Sequence, residues 1–258
     1  MSHMHIPDGV MPLWIVATGW ALTAGLLAVA VRTLQRPTAE RRLPLLGVMS
    51  ALMLVGMSVE IVPIGYHLNL TVITGILLGP ALGFIAAFLV NLVLALIGHG
   101  GITVAGLNTI VSGVEVLLGY YLFRGLRTLW GDGPGIRWEA GITTLIALIT
   151  GSLLMIGIVG ISNVNPAVAA PESGAVDPGT LSFRNPFGAG VLRVEALERP
   201  ETAQSRTELA TFATLVLGLG LPGWVIESLV TGFLVGYLAL VRPDLVEGPP
   251  HSETGRRS

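Results

Sequence analysis

Six long apolar stretches constrain the fold of this 258-residue chain more than any other feature of its sequence. An α-helix needs roughly 20 mostly apolar residues to cross a bilayer, and each stretch meets or approaches that length. Charged residues make up only 12% of the chain, against about 25% in an ordinary soluble domain. We therefore exclude a water-soluble globular enzyme and predict a polytopic helical membrane protein. The stretches cover residues 12–32, 43–61, 68–97, 102–123, 140–161 and 209–241.

The third stretch is long for a single crossing, and Gly79-Pro80 interrupts it. Proline removes a backbone hydrogen-bond donor and clashes with the preceding turn of a helix. We therefore interpret the stretch as two spans, of which the first is unusually short. The arginines support this division, because the cytoplasmic flanks of membrane helices are enriched in Arg and Lys.

The arginines also orient the chain, and they account for all 14 of its basic residues. With seven spans and the N-terminus outside, ten of the 14 fall on the cytoplasmic side, whereas a single span over 68–97 would divide them eight to six. The four on the outer side are Arg184, Arg193, Arg199 and Arg206.

These observations predict an all-α integral membrane fold with seven transmembrane helices, the N-terminus outside and the C-terminus cytoplasmic. Residues 1–11 would form an N-terminal arm, and residues 12–161 the first six helices. The polar residues 162–208 would form an extracytoplasmic loop, followed by the seventh helix at 209–241 and a cytoplasmic tail at 242–258. The N-terminus lacks the basic region of a secretory signal peptide, so we expect the first span to be retained.

Four of the five histidines map to one face of the membrane in this topology. The chain has no cysteine, so a metal site must use nitrogen and oxygen ligands, and disulfides are excluded. Imidazole is the commonest nitrogen ligand for zinc, copper, nickel and cobalt. The net charge of −2 argues against nucleic acid as a partner. The four candidate ligands are His3, His5, His67 and His99, although loop histidines can equally be solvated.

The N-terminal arm offers a more particular ligand set. A free terminal amine followed by histidine can bind a divalent ion through the amine, a deprotonated backbone amide and the imidazole, three nitrogens close to one plane. One further imidazole completes a square, which suits Ni(II) and Cu(II) and is accepted by low-spin Co(II), whereas zinc prefers a tetrahedron. The sequence leaves three registers open: Met4-His5, Ser2-His3 after removal of Met1, and Met1-Ser2-His3.

The arm also opens a longer pattern, MHIPDG at residues 4–9, with further motifs along most of the chain outside 162–208. They are His67-Leu68, LLGP at 77–80, GGIT at 100–103 with Gly106 and Asn108, GYY at 119–121, Ile226-Glu227 and RPD at 242–244. In these residues the chain resembles the CbiM/NikM family, the cobalt- or nickel-binding S-components of energy-coupling factor (ECF) transporters. The N-terminal motif is the specific one, since glycine and apolar matches alone would be weak.

The resemblance implies a seven-helix substrate-capture subunit whose N-terminus folds back into an outward cavity. It also implies that Co2+ or Ni2+ is the transported substrate, with no organic cofactor. The ion would be held by the Met4 amine, the backbone amide and imidazole of His5, and His67. On this basis Met4 is the expected mature terminus.

Three further residues are candidates for supporting hydrogen bonds or for an extra ligand: Asn108, His99 and His3. Asn108 lies about two turns beyond the HGG corner at 99–101, and it could orient His67 or the arm, or simply join two helices by a hydrogen bond. The family usually has aspartate where His99 stands, so this chain offers an additional imidazole there. The family also usually carries Gly-Thr-Ser before the binding histidine, where this chain has Ile-Gly-Tyr at 64–66.

The resemblance further implies an importer of the prokaryotic cytoplasmic membrane that is not itself an enzyme. Without lysine the chain has no Walker A motif, so ATP hydrolysis is expected from two ATP-binding cassette ATPases. A transmembrane coupling (T) subunit would join them to the chain, and a small accessory membrane subunit is another candidate partner. Small residues at Ala17, Ala21 and Gly25, and at Gly47 and Ala51, either pack internally or form the docking face for the coupling subunit.

Two acidic residues leave an alternative open. Glu115 and Glu227 lie well inside predicted spans five and seven, where ionised carboxylates are costly and normally face the bundle or a cavity. The sequence offers neither of them an obvious partner. They make a self-sufficient secondary transporter or channel for a divalent metal the alternative to an ATP-driven importer. An intramembrane enzyme is disfavoured, because the chain lacks HExxH, cysteine and a convincing serine-histidine pair.

Overall fold

The computed structural model describes residues 11–34, 36–59, 67–131, 135–162 and 202–246. Seven helices and no strands lie in these ranges, which confirms the all-α fold. They are α1 (Leu13–Thr33), α2 (Arg36–Ser58), α3 (Thr71–Leu96), α4 (Ala105–Trp130), α5 (Ile136–Ser162), α6 (Thr202–Val241) and α7 (Pro243–Val246). The candidate ligands Met4, His5 and His3 lie outside the described residues, as does most of the predicted 162–208 loop.

Five of the described helices are long and apolar enough to cross a membrane: α1, α3, α4, α5 and the Phe212–Val241 part of α6. Helix α2 contributes a shorter apolar helix over Arg42–Ser58. This pattern confirms a multi-pass membrane protein. Three helices begin before the predicted apolar stretch: α2 at Arg36 rather than residue 43, α5 at Ile136 rather than residue 140, and α6 at Thr202 rather than residue 209. The difference arises because a helical backbone can continue into the polar residues that flank an apolar run.

Gly79 divides α3 into two halves, as the Gly79-Pro80 sequence predicts. Its φ of 80° and ψ of 178° are outside the helical region, and residues with a side chain rarely adopt that φ. A Cβ placed on Gly83 would lie 3.6 Å from the Cα of Gly75. In a straight helix, residues 75 and 83 would be about 12 Å apart. The chain therefore reverses at Gly79 and forms a helical hairpin.

The two halves of the hairpin differ in length. At about 1.5 Å per residue, residues 71–78 extend about 12 Å and residues 80–96 about 25 Å. The hydrocarbon core of a bilayer is about 30 Å thick, so the first half does not cross it alone. The short span expected from the sequence is therefore a half-span, and Thr71 begins deeper in the bundle than Leu96 ends.

Helices α3 and α4 form the centre of the bundle. Every residue of the first half of α3 is buried, and small residues bring the two helices into backbone contact. A Cβ on Gly75 would lie 2.1 Å from the carbonyl oxygen of Val116, and one on Gly119 would lie 2.7 Å from that of Val72. This packing holds the half-span against α4.

Helix α1 packs on the start of α4. Thr23 Oγ1 donates to the Gly106 carbonyl at 2.7 Å, and Trp20 Nε1 donates to the Thr103 carbonyl at 2.7 Å. A Cβ on Gly106 would lie 2.9 Å from the backbone of Trp20, so the two helices touch closely there. The sequence left internal packing or a docking face open for a set of small residues, and in the described structure these residues are exposed rather than packed internally: Ala17, Ala21 and Gly25 on α1, and Gly47 and Ala51 on α2.

We call the end of the bundle at which α4 begins the Ala105 end, and the end at which it finishes the Trp130 end. At the Trp130 end, Arg127 Nε lies 3.4 Å from Glu139 Oε2 and joins α4 to α5. Beside the turn in α3, Arg42 Nη1 donates to the Leu77 carbonyl at 3.4 Å. Arg127 thus places a positive charge beside a buried carboxylate, and Arg42 gives a donor to a carbonyl at the end of the half-span.

The RPD motif at 242–244 ends α6. Arg242 donates two hydrogen bonds of 2.9 Å to the Asp244 carboxylate. These bonds hold the pKa of the Asp244 carboxyl below its usual value. Pro243 then begins α7, a position that tolerates proline because its missing N–H has no helical acceptor there.

Candidate metal centre

The structure describes three of the predicted site residues. His67 lies directly before α3 and is partly buried, His99 is exposed in the loop between α3 and α4, and Asn108 is buried near the start of α4. Because α3 is a hairpin, the chain before its first half and the loop after its second half open toward the same end of the bundle, the Ala105 end. His67 is the deeper of the two histidines.

The described residues do not contain a complete metal site. No three His, Cys, Asp or Glu side chains among them are arranged to hold an ion. A site that uses His67 therefore needs ligands from another part of the chain. The arm at residues 1–10, which lies outside the described ranges, is the part that the sequence pattern nominates.

Residues 67–70, which we call the His67 segment, form an irregular connection into α3. On the α2 side, Leu68 N donates to the Gly56 carbonyl at 3.0 Å, and a Cβ on Gly56 would lie 2.6 Å from the Leu68 oxygen. Leu70 has a φ of 57°, a left-handed conformation that is uncommon for a residue with a side chain. Irregular backbone within a membrane bundle persists only where its polar groups are satisfied by protein or water.

Glu227 of α6 holds the backbone of the His67 segment. Its two carboxylate oxygens accept hydrogen bonds from consecutive backbone amides, Leu70 N to Oε1 at 2.9 Å and Asn69 N to Oε2 at 3.3 Å. The amides at the start of a helix have no intrahelical acceptor and carry partial positive charge. Glu227 is fully buried, at 0% exposure, and supplies the acceptors that this helix start lacks.

Glu115 of α4 holds side chains of the same stretch. Its Oε2 accepts hydrogen bonds from Asn69 Nδ2 and from Thr71 Oγ1, the latter at 2.7 Å. Asn69, Thr71 and Glu115 are each buried to within 1% exposure. Gly151 of α5 leaves space for the carboxylate, because a Cβ there would lie 2.3 Å from Glu115 Oε1. Asn69 thus links the two carboxylates, with its backbone N–H on Glu227 and its side chain on Glu115.

Both intramembrane carboxylates therefore have partners, which corrects the sequence interpretation that Glu115 and Glu227 lack them. The partners lie 44 and 46 residues from Glu115 and 157 and 158 residues from Glu227. No local pattern could have identified such contacts. The available signal was the pair Asn69 and Thr71, two polar residues beside His67 in an otherwise apolar stretch.

Asn108 lies on the same face of α4 as Glu115, since positions 108, 112 and 115 recur at helical spacing. The Ser112 hydroxyl donates to the Asn108 backbone carbonyl at 3.1 Å and lies 3.1 Å from Asn91 Nδ2, from which it accepts. This polar row joins α4 to the second half of α3. It runs from the carboxylate of Glu115 toward the Ala105 end.

The chain is similar to metal transport proteins in sequence and fold. A protein of Haloquadratum walsbyi named for metal transport is 28% identical over 248 residues, 94% of this chain and 93% of that protein. A protein of Archaeoglobus fulgidus, whose name describes it as a fused nickel transport protein, NikMN, is 26% identical over 249 residues, 95% of this chain and 68% of that protein. The crystal structure of a truncated transition metal transporter matches with a TM-score of 0.67 and 19% identity, over 92% of this chain and 99% of that chain, and so shows the fold.

The family described as the cobalt uptake substrate-specific transmembrane region, CbiM, matches residues 5–245. The match begins within the arm and continues into α7, so it includes the His67 segment and both buried carboxylates. It confirms the resemblance that the motifs indicated. Together with the apolar helices, membership of this family makes the chain a multi-pass protein of a prokaryotic cytoplasmic membrane. The chain belongs to the CbiM family and is a membrane component of cobalt or nickel transport.

Proposed function

We propose that this chain is the substrate-capture subunit of an ATP-driven Co2+ or Ni2+ importer. The observation that carries the proposal is the position of His67, at the start of a buried segment that opens toward the Ala105 end and is hydrogen-bonded to α2, α4 and α6. An imidazole on a fixed backbone can meet an ion that enters from one side of the membrane. Membership of a cobalt uptake family supports a metal ion as the cargo.

Four nitrogens in one plane bind the ion in this proposal. The Met4 amine, the backbone amide of His5 and its imidazole supply three, and the His67 imidazole supplies the fourth. Square-planar nitrogen coordination suits Ni(II) and is accepted by low-spin Co(II), whereas zinc prefers a tetrahedron and magnesium prefers oxygen. The ligand set therefore disfavours zinc and magnesium and suits Ni(II), Cu(II) and low-spin Co(II), and membership of a cobalt uptake family favours cobalt or nickel among these.

Three other polar residues support the ion or its ligands. His99 and His3 offer further imidazoles, His99 from the exposed loop at the Ala105 end and His3 from the arm. Asn108, on the face of α4 that carries Glu115, offers a hydrogen bond to the arm or to His67. None of the three supplies one of the four planar nitrogens. Each instead orients those ligands or adds a contact to the ion.

The Ala105 end faces outside and the Trp130 end faces the cytoplasm. Arg206 lies near the start of α6, away from the Trp130 end, whereas the six arginines whose side chains the structure describes lie at the Trp130 end, as expected of a cytoplasmic flank. They are Arg32, Arg42, Arg124, Arg127, Arg137 and Arg242.

Energy comes from partner proteins. The chain has no lysine and therefore no Walker A site, so two ATP-binding cassette ATPases hydrolyse ATP and a transmembrane coupling subunit transmits the motion. A small accessory membrane subunit completes the set of candidate partners. The exposed small residues Ala17, Ala21 and Gly25 support a docking face on α1, because they allow another helix to approach closely.

The electronic state of bound nickel tests the proposed site. Protein that begins at Met4 should bind one Ni(II) in a diamagnetic, square-planar form with a d–d absorption band, and acetylation of the Met4 amine should remove that species. A protein that begins at Met1 and carries His3→Ala is the matched control, because it moves the terminal amine away from His5 and also lacks the Met1-Ser2-His3 register. A paramagnetic six-coordinate Ni(II) complex, or equal binding by all three proteins, would contradict the planar nitrogen site.

A further inference from the structure

We propose that Glu115 and Glu227 are positioning residues for metal binding: together they fix the His67 segment so that the imidazole of His67 is held in one place. This inference rests on the proposed role of His67 as a metal ligand. It assigns a function to two buried carboxylates that need not touch the ion. Neither carboxylate is a proposed ligand, and each acts through the residues that follow His67.

The hydrogen bonds define the backbone on both sides of Leu70. Glu227 holds the N–H groups of Asn69 and Leu70, and Glu115 holds the side chains of Asn69 and Thr71. Three consecutive residues are therefore tied to two different helices, beginning two residues after His67. The hydrogen bond from Leu68 N to the Gly56 carbonyl holds the segment against α2 as well.

The segment cannot hold this conformation by itself. The backbone N–H groups of Leu68, Asn69 and Leu70 all donate to groups outside the helix. The segment also includes a left-handed leucine, a conformation that the surroundings must impose. The same stretch leads into a half-span whose first amides lack intrahelical acceptors. Without the Glu227 carboxylate, the Asn69 and Leu70 amides just before the half-span would lose their present acceptor, and the segment would open.

Metal affinity is sensitive to such support. A ligand that must join three nitrogens of the arm in one plane has little positional freedom, and removing a hydrogen bond that orients a metal ligand typically lowers affinity about 10- to 100-fold. Glu227→Gln is the sharpest change, because the amide has one acceptor oxygen for two backbone N–H groups and presents an N–H₂ group to one of them. The side-chain volume is almost unchanged.

A matched control is available at the other end of the bundle. Glu139 is also fully buried, and its contact with Arg127 lies at the Trp130 end, away from the His67 segment. Glu139→Gln therefore removes a buried carboxylate without touching this network. Thr71→Val is a milder change within the network, since it deletes only the hydroxyl that donates to Glu115.

The first measurement uses metal-free protein. The chain has no cysteine, so Leu68→Cys introduces a single thiol into the segment. The rate of labelling by a water-soluble maleimide should rise about tenfold when Glu227→Gln is added, about threefold with Thr71→Val, and by less than about twofold with Glu139→Gln. An unchanged rate in the Glu227→Gln and Thr71→Val proteins would overturn the inference, whether or not the chain binds metal.

The second measurement uses Ni(II) and proteins that begin at Met4 and retain Leu68. Affinity should fall about 10- to 100-fold in Glu227→Gln, and the d–d band of the bound ion should shift or broaden, whereas Glu139→Gln should keep both the band and the affinity. Equal losses in Glu227→Gln and Glu139→Gln would mean general destabilisation and would overturn the inference. Absence of Ni(II) and Co(II) binding in the unmodified protein would instead contradict the proposed function, while the labelling rates still decide whether the carboxylates fix the segment. If Glu227→Gln does not fold, Thr71→Val provides both readouts.

Discussion

Replacing Gly75 by alanine should separate the two helices at the centre of the bundle. The added Cβ would lie 2.1 Å from the carbonyl oxygen of Val116, 2.9 Å from its carbonyl carbon and 3.1 Å from its Cα. Real Cβ atoms essentially never come within 3.0 Å of such neighbours. Because all three atoms belong to the backbone of α4, no side-chain rotation relieves the overlap, and the first half of α3 must move by about 1 Å.

The expected cost follows from two opposing terms. Overpacking of a tightly packed interior costs about 1–3 kcal/mol, and more where backbone must shift. Alanine in place of glycine favours a helix by about 1 kcal/mol. We therefore expect Gly75→Ala to lower the free energy of unfolding by about 2 kcal/mol. The displacement also moves Thr71, one turn earlier, relative to Glu115, so metal affinity should fall with stability.

Unfolding in mixed detergent micelles of increasing dodecyl sulfate content, followed by tryptophan fluorescence, measures this change. Gly157→Ala on α5 is the matched control, because nothing lies within 4 Å of a Cβ added there and the change in helix propensity is the same. The control should be as stable as the unmodified protein or slightly more stable. Equal stability of the Gly75 and Gly157 variants would refute the backbone contact between α3 and α4.

Three further predictions concern transport. Histidine-free residues added ahead of Met4 should weaken Ni(II) binding by more than about 100-fold, measured by calorimetry, because they replace a basic amine with an amide. Ala21→Leu should reduce ATP-driven uptake by the assembled transporter while metal affinity changes by less than about twofold, because the residue is exposed on α1. Loss of metal binding with the transporter still assembled would show that this face packs inside the subunit. The chain alone in liposomes should release no phosphate from ATP and accumulate no metal, and proton-driven accumulation that Glu115→Gln abolishes would favour a secondary transporter.

The membrane fold is predictable from the sequence because lipid requires apolar residues on every turn of a spanning helix. The break in α3 is predictable as well, since Pro80 removes a backbone donor and clashes with the preceding turn, and Gly79 before it is a poor helix former. The reversal of the chain at Gly79 is not, because the same two residues also permit a simple kink. The reversal depends on Gly83 meeting Gly75, a contact between residues that the local pattern leaves free.

The packing of α1 shows the same limit. Two stripes of small or polar residues run along this helix, one through Gly19 and Thr23 and one through Ala17, Ala21 and Gly25. Both satisfy the rule that small residues permit close approach. Only the complementary surface of α4 selects the first stripe for internal packing, and that surface comes from residues more than 80 positions away.

The candidate site divides in a similar way. The metal-binding role of His67 could be proposed from the sequence, because imidazole is a common metal ligand and because the motif at residues 4–9 indicates the family. The contribution of Glu115 and Glu227 could not, because their value depends on the bundle bringing α4 and α6 to opposite sides of Asn69. A carboxylate within a span indicates a partner but does not identify it.

The most direct test of the central claim compares metal binding by the chain that begins at Met4 with binding by its His67→Ala variant. The account predicts that His67→Ala abolishes high-affinity Ni(II) and Co(II) binding in a calorimetric titration while thermal unfolding stays close to that of the unmodified protein. His251→Ala, which changes the one histidine that the predicted topology places in the cytoplasmic tail, should retain binding. Unaltered affinity in the His67→Ala protein would remove His67 from the metal site and contradict the account.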